Sequence, residues 1–149
     1  MGRLFSGVRA PSTLGMFLRA FTFGHVRQLD AVASGLLPRL AGQAPILVGA
    51  EQLVWVDVDD TVVQTYGYAK QAAARGYTGV KGLNVLVATA STPQAAPVIA
   101  ATRLRRGNAR SSRGAATLVV EALRVARRCG ASGLVILRAD AAFYTRAVV

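Results

Sequence analysis

An α/β fold is predicted for this chain from three observations. A valine-rich run, Leu53 to Val63, alternates at strand spacing. Two further strand-like runs follow it at residues 80–90 and 96–102. The clearest helical stripe, over residues 112–128, then leads to a fourth apolar run at 133–138. At 149 residues the chain is long enough for one domain with a real core.

The lead, residues 1–11, is basic and carries Gly and Pro without periodicity. Ser12 or Thr13 is placed to cap a helix after Pro11, in which Leu14, Phe17, Leu18 and Phe21 recur at helical spacing. Gly24 breaks it. A second helix follows with Val26, Leu29, Ala33, Leu36, Leu37 and Leu40 on one stripe, bent or ended near Pro38. His25 opens this helix without a companion His or Cys nearby, so it reads as a solvated or capping residue rather than a metal ligand. Residues 42–50 form a linker broken by Pro45 and Gly49. The expected organisation is a helical segment over 1–50 and a catalytic-type α/β core over 51–149.

In the central strand Val54, Val56 and Val58 fall on one face, and Trp55, Asp57, Asp59 and Thr61 on the other. Carboxylates two residues apart on a strand sit roughly 6.5–7 Å from each other. Acids in so apolar a run are costly unless paired, hydrogen-bonded or metal-bound. The segment QTYGYAKQAAARGYTGVKG then mixes tyrosines with Lys70, Arg75 and Lys81; it reads equally as a DNA-backbone contact or a wide hairpin loop. The two following strands meet at a turn, Ser91–Thr92–Pro93. RLRRGNARSSR concentrates Arg103, Arg105, Arg106, Arg110 and Arg113 and is the best phosphate-binding candidate.

Ser111 or Ser112 is expected to cap the helix that follows, whose stripe is Leu118, Val119, Ala122, Val125 and Ala126, with Gly130 ending it. Glu121 and Arg124 are spaced as a surface pair. The wholly apolar GLVILR reads as a buried strand, and Asp140 lies just beyond its end. The last residues, AAFYTRAVV, are expected to begin another helix.

Composition narrows the function. The formal charge is +11, from sixteen arginines and two lysines against seven acids. Such an excess points to a polyanionic partner, nucleic acid first. Four of the seven acids, Asp57, Asp59, Asp60 and Asp140, gather near two strand ends. No apolar run reaches the ~18–20 residues of a membrane span. The single cysteine, Cys129, rules out an internal disulfide and fits a reducing cytoplasm.

Three strands in a meander, a crossover helix and a fourth strand returning beside the first match a ribonuclease-H-like core, here preceded by two helices. Neighbouring strands lie ~4.8 Å apart, so Asp140 is brought toward Asp59 across one sheet edge. Carboxylates so gathered suit hard cations, with Mg²⁺ the expected ion, and two such ions clamp the oxygens of an in-line phosphoryl displacement.

The runs VDVDDTVVQTYGYAKQAAARGYTGVKGLNVLVAT, RLRRGNARSSRGA and LVILRADAAFY resemble bacterial insertion-sequence transposases of the DDE class. The resemblance is to the branch with Asp-x-Asp-x-Thr and Arg-x-Asp-Ser-x-Phe-Tyr motifs, and APSTLGMFLRAFTFGHVRQLD extends it over nearly the whole chain. It implies a ribonuclease-H-like domain that cuts and joins DNA at insertion-sequence ends with Mg²⁺, a protein that dimerises on DNA, and a location at the bacterial nucleoid in the cytoplasm. It implies Asp59 as first catalytic acid with Asp57 in support, and Asp140 as second, with Asp59 and Asp140 binding metal. Ala141 stands where the family has Ser. The family's third acid, a Glu on a later helix, has no counterpart here, and Glu121 precedes the second acid. The chain is therefore expected to be a fragment lacking both ends and inactive alone, with an open sheet edge that lowers solubility.

VDVDDTVV also resembles the first motif of haloacid-dehalogenase-like phosphatases. That likeness implies Asp57 as nucleophile, Asp59 as general acid/base and Thr61 as a positioning residue. It requires a later acidic pair, for which only Asp140 is present, and it leaves the charge of +11 unexplained. The third alternative is a basic remnant that binds DNA without cutting it.

Overall fold

The computed structural model describes residues 10–66, 70–146 and 148. It is an α/β structure of three α-helices and a mixed five-stranded sheet. Two helices lead, α1 (Pro11–Arg19) and α2 (Phe23–Ala41). Then come β1 (Leu53–Gln64), the two-residue β2 (Ala74–Arg75), β3 (Lys81–Thr92), β4 (Ala95–Arg106), α3 (Ala115–Arg128) and β5 (Leu134–Ala139). Across the sheet, β4 pairs antiparallel with β3, β3 antiparallel with β1, and β1 parallel with β5, while β2 pairs with β3 at Gly82 and Lys81. The expected meander, crossover helix and returning fourth strand are present, but β5 is not the buried strand its apolar sequence predicts: it pairs with β1 alone at the sheet edge, and Leu134, Ile136 and Leu137 are exposed.

One face of the sheet supplies the core. Val54, Val56 and Val58 on β1, and Leu86, Ala88 and Ala90 on β3, are buried, in strict alternation with half-exposed neighbours. The apolar stripe of α3, with Leu118, Ala122, Val125 and Ala126, closes on them. Small side chains on both surfaces, Ala88 and Ala90 against Ala115, Ala122 and Ala126, bring helix and sheet close together. The second face keeps the other residues of the alternation, Trp55, Asp57 and Asp59 among them, partly open. Leu47 and Ala50, in the segment expected to be a linker, are buried in the same core, and Thr92 Oγ1 donates to the Val48 carbonyl to hold that segment down.

Four local differences have physical causes. β4 runs on through Arg106, because its arginines at 103 and 105 find acids on the covered face; the first four residues of the basic segment, 103–106, are thus strand. Neither serine caps α3: Gly114, at φ 78°, makes the entry, a left-handed conformation in which glycine has no Cβ to clash. Glu121 meets Arg103 across the helix–sheet interface instead of pairing with Arg124. After Asp140 the chain forms one 3₁₀ turn, Ala141–Phe143, whose Phe143 is buried in the core. His25 does cap α2, its Nδ1 accepting from the Thr22 amide at 3.0 Å. Gly130 ends α3 with φ 103°.

Candidate metal centre and basic surface

Two strands carry the acids, and their register decides which of them meet. β1 and β5 run parallel with Trp55 opposite Ile136, Asp57 opposite Arg138 and Val58 opposite Ala139. One step further along both strands stand Asp59 and Asp140, on the face that carries Asp57 and Arg138. Adjacent strands are ~4.8 Å apart, so the backbones at these two positions follow directly on the paired ends of β1 and β5.

The four aspartates of this region have different partners. Asp57 is held by Arg138, whose Nε and Nη2 donate to its two oxygens at 2.6 and 2.8 Å. The guanidinium also lies 5.0 Å from the Trp55 ring centroid, a cation–π contact that fixes its plane. The hydrogen bond to Asp57 raises the pKa of Arg138, so this cation stays charged. Asp60 turns to the covered face, where its Oδ2 accepts from Arg105 Nη2 at 3.0 Å and from the Asn84 amide.

Asp59 and Asp140 are exposed, and neither has a cation on it among the described residues. Asp59 Oδ1 accepts from the Asp60 backbone amide at 2.7 Å, and Asp140 Oδ1 accepts from the Ala142 amide at 2.9 Å. Each carboxylate is thereby oriented by backbone and keeps its other oxygen for a ligand. Mg²⁺ is commonly held by one or two carboxylates with water and substrate phosphate completing its shell, and these two side chains are of that donor type. No group of three His, Cys, Asp or Glu side chains suited to a metal ion occurs among the described residues.

Arg105 is the polar centre of the covered face, 9% exposed yet fully engaged. Its Nε and Nη2 donate to Asn84 Oδ1, its Nη2 to Asp60, and its Nη1 to the carbonyls of Arg110, Ser111 and Arg113 at 3.1, 3.0 and 2.7 Å. Burial lowers its pKa, Asp60 offsets part of that, and the nearby Arg113 and Arg103 lower it further. Asn84, which the sequence reading did not single out, bridges Asp60 and Arg105.

The basic residues divide in the same way. Arg103 gives one nitrogen, Nη2, to both oxygens of Glu121 at 2.6 and 2.7 Å, so it and Arg105 turn inward. Arg75 donates to the Gly79 carbonyl at 2.7 Å and closes the turn before β3, with Lys81 opposite it in register. Arg110 is exposed on the loop that Arg105 holds. Lys70, Arg106 and Arg113 line one groove together with Arg19, a residue of α1 that the sequence pattern did not single out. Tyr68, in the Tyr-Gly-Tyr piece, lies outside the described residues.

No helix among the described residues is long and apolar enough to cross a membrane. Comparison of the chain with protein-family models, with curated proteins and with solved structures finds no match.

Proposed function

We propose that this chain is a ribonuclease-H-like core of the DDE-transposase type, in which Asp59 and Asp140 hold Mg²⁺ against a DNA phosphate. The observation that supports the reading is the parallel β1–β5 register, paired through Val58 and Ala139, after which Asp59 and Asp140 are the next residues, neither paired with a cation among the described residues. A bound divalent ion supplies charge neutralisation at the phosphate and at the oxygens that attack and leave. Asp59 and Asp140 each offer a carboxylate oriented by a backbone amide. Arg138 keeps Asp57 out of the ligand set, and Arg105 ties Asp60 to the covered face, so Asp59 is the ligand supplied by β1. With two carboxylates in place, the chain by itself binds the ion weakly and does not complete strand transfer. The phosphatase alternative asks Asp57 to be a free nucleophile, and its two-point pairing with Arg138 weighs against that.

The test is paramagnetic broadening by Mn²⁺ in amide NMR spectra of the whole chain. Broadening centred on residues 59–61 and 139–142, abolished by Asp59→Asn and by Asp140→Asn, is expected. Broadening elsewhere, or broadening indifferent to both substitutions, overturns the reading. So does hydrolysis of a simple phosphate ester that disappears in Asp57→Ala.

A further inference from the structure

A groove of about 1150 Å³ runs between the α1–α2 corner and the edge of β4, bounded by residues 70–72 and by the loop after β4. No acidic side chain lines it. Arg19, Lys70, Arg106 and Arg113 line it, all exposed, and no carboxylate among the described residues pairs with them. Four cations left without counter-charges at one groove mark a site for phosphates.

The same groove has an aromatic wall. Phe23, 66% exposed, lines it beside Phe21 and Leu18. A solvent-exposed ring among cations fits a strand whose bases are unpaired, because stacking needs an open base face that a duplex keeps in its own stack. Arg106 ends β4, and the loop that follows, carrying Arg113, is fixed from behind by Arg105 through the carbonyls of residues 110, 111 and 113, so these cations need little ordering on binding. The groove lies at the β4 edge, two strand spacings (about 10 Å) from β1 and three (about 14 Å) from β5, away from Asp59 and Asp140.

We infer that this groove binds a single-stranded nucleic-acid segment, its phosphates on Arg19, Lys70, Arg106 and Arg113 and a base stacked on Phe23. The inference rests on the nucleic-acid side of the proposed function but not on the carboxylate chemistry. The experiment is fluorescence anisotropy of the full chain with a labelled oligo-dT 15-mer and, separately, a 15-bp duplex, in EDTA over a range of salt. The single strand is expected to bind more tightly than the duplex, with affinity falling as salt rises. Arg106→Ala with Arg113→Ala lowers the steepness of that salt dependence by roughly 1.4, at ~0.7 per phosphate contact. Phe23→Ala weakens binding roughly 5- to 150-fold and Phe23→Tyr restores it, as base stacking requires. Duplex preference, an unchanged salt slope in the double variant, or indifference to Phe23→Ala in a chain with a native circular dichroism spectrum overturns the inference. Oligonucleotide binding in EDTA without a Mn²⁺ response at Asp59 and Asp140 defeats the carboxylate reading alone. A Mn²⁺ response without oligonucleotide binding defeats the groove alone.

Discussion

Arg138 grips both oxygens of Asp57, at 2.6 and 2.8 Å, across the parallel junction of β1 and β5. The next positions on that face, Asp59 and Asp140, have no cation on them among the described residues. One ion pair thus separates a carboxylate held by a cation from two that accept from backbone amides.

Removing the cation changes the ligand count. Arg138→Ala frees Asp57 beside Asp59, so Mn²⁺ binding by titration is expected to tighten, and Asp57→Asn added to it reverses the gain. Fold stability is expected to change little, because the pair is solvent-exposed. Unchanged metal affinity in Arg138→Ala shows that the pair does not restrain Asp57.

The inward pair behaves differently. Arg105→Ala leaves Asp60 and three loop carbonyls without their donor in a buried setting. Breaking such a pair costs about 3–5 kcal/mol, a drop in melting temperature of roughly 10 °C for a chain of this size. A calorimetric shift of a degree or two contradicts the assignment of Arg105 as the structural anchor.

Phe143 joins the turn after Asp140 to the core, at 1% exposure. Phe143→Ala is expected to lose about 3–5 kcal/mol in denaturant unfolding. It also weakens the Mn²⁺ response at Asp140, since the 3₁₀ turn that orients that carboxylate loses its anchor. Weaker stability with an intact Mn²⁺ response separates the turn from the site.

Burial raises the pKa of Cys129, and Arg128 offsets only part of this. The native thiol therefore holds its proton more tightly than the unfolded one, whose pKa is ~8.5. Its contribution to stability is complete below that value and is lost as pH rises through the folded pKa. Iodoacetamide labelling of native Cys129 should reach half its maximal rate at a higher pH than a free thiol does. Cys129→Ala should flatten the fall of stability above pH ~8.5. Labelling at or below the pH of a free thiol contradicts the burial.

Much of the core was legible in the sequence for a simple reason. Val54, Val56 and Val58 repeat every second residue, and Leu118, Ala122 and Val125 every third or fourth, and these periods are set by strand and helix geometry alone. The parallel return of β5 beside β1 also followed from element order. β2 was not legible, because two residues show no period; it forms where Ala74 and Arg75 happen to lie beside Gly82 and Lys81. The length of β4 was hidden by its charge: arginine looks like loop until Glu121 and Asp60 are seen on the covered face.

By itself the sequence determined the strand and helix periods, the excess of positive charge and the concentration of aspartates at two strand ends. Which aspartate is neutralised and which is free was decided only by tertiary structure. A side chain's partner across a sheet depends on register, and register joins residues such as Asp57 and Arg138 that lie 81 positions apart. The division of the arginines has the same origin. Arg103 and Arg105 find acids within the fold, while Arg106 and Arg113 stay beside a groove with none.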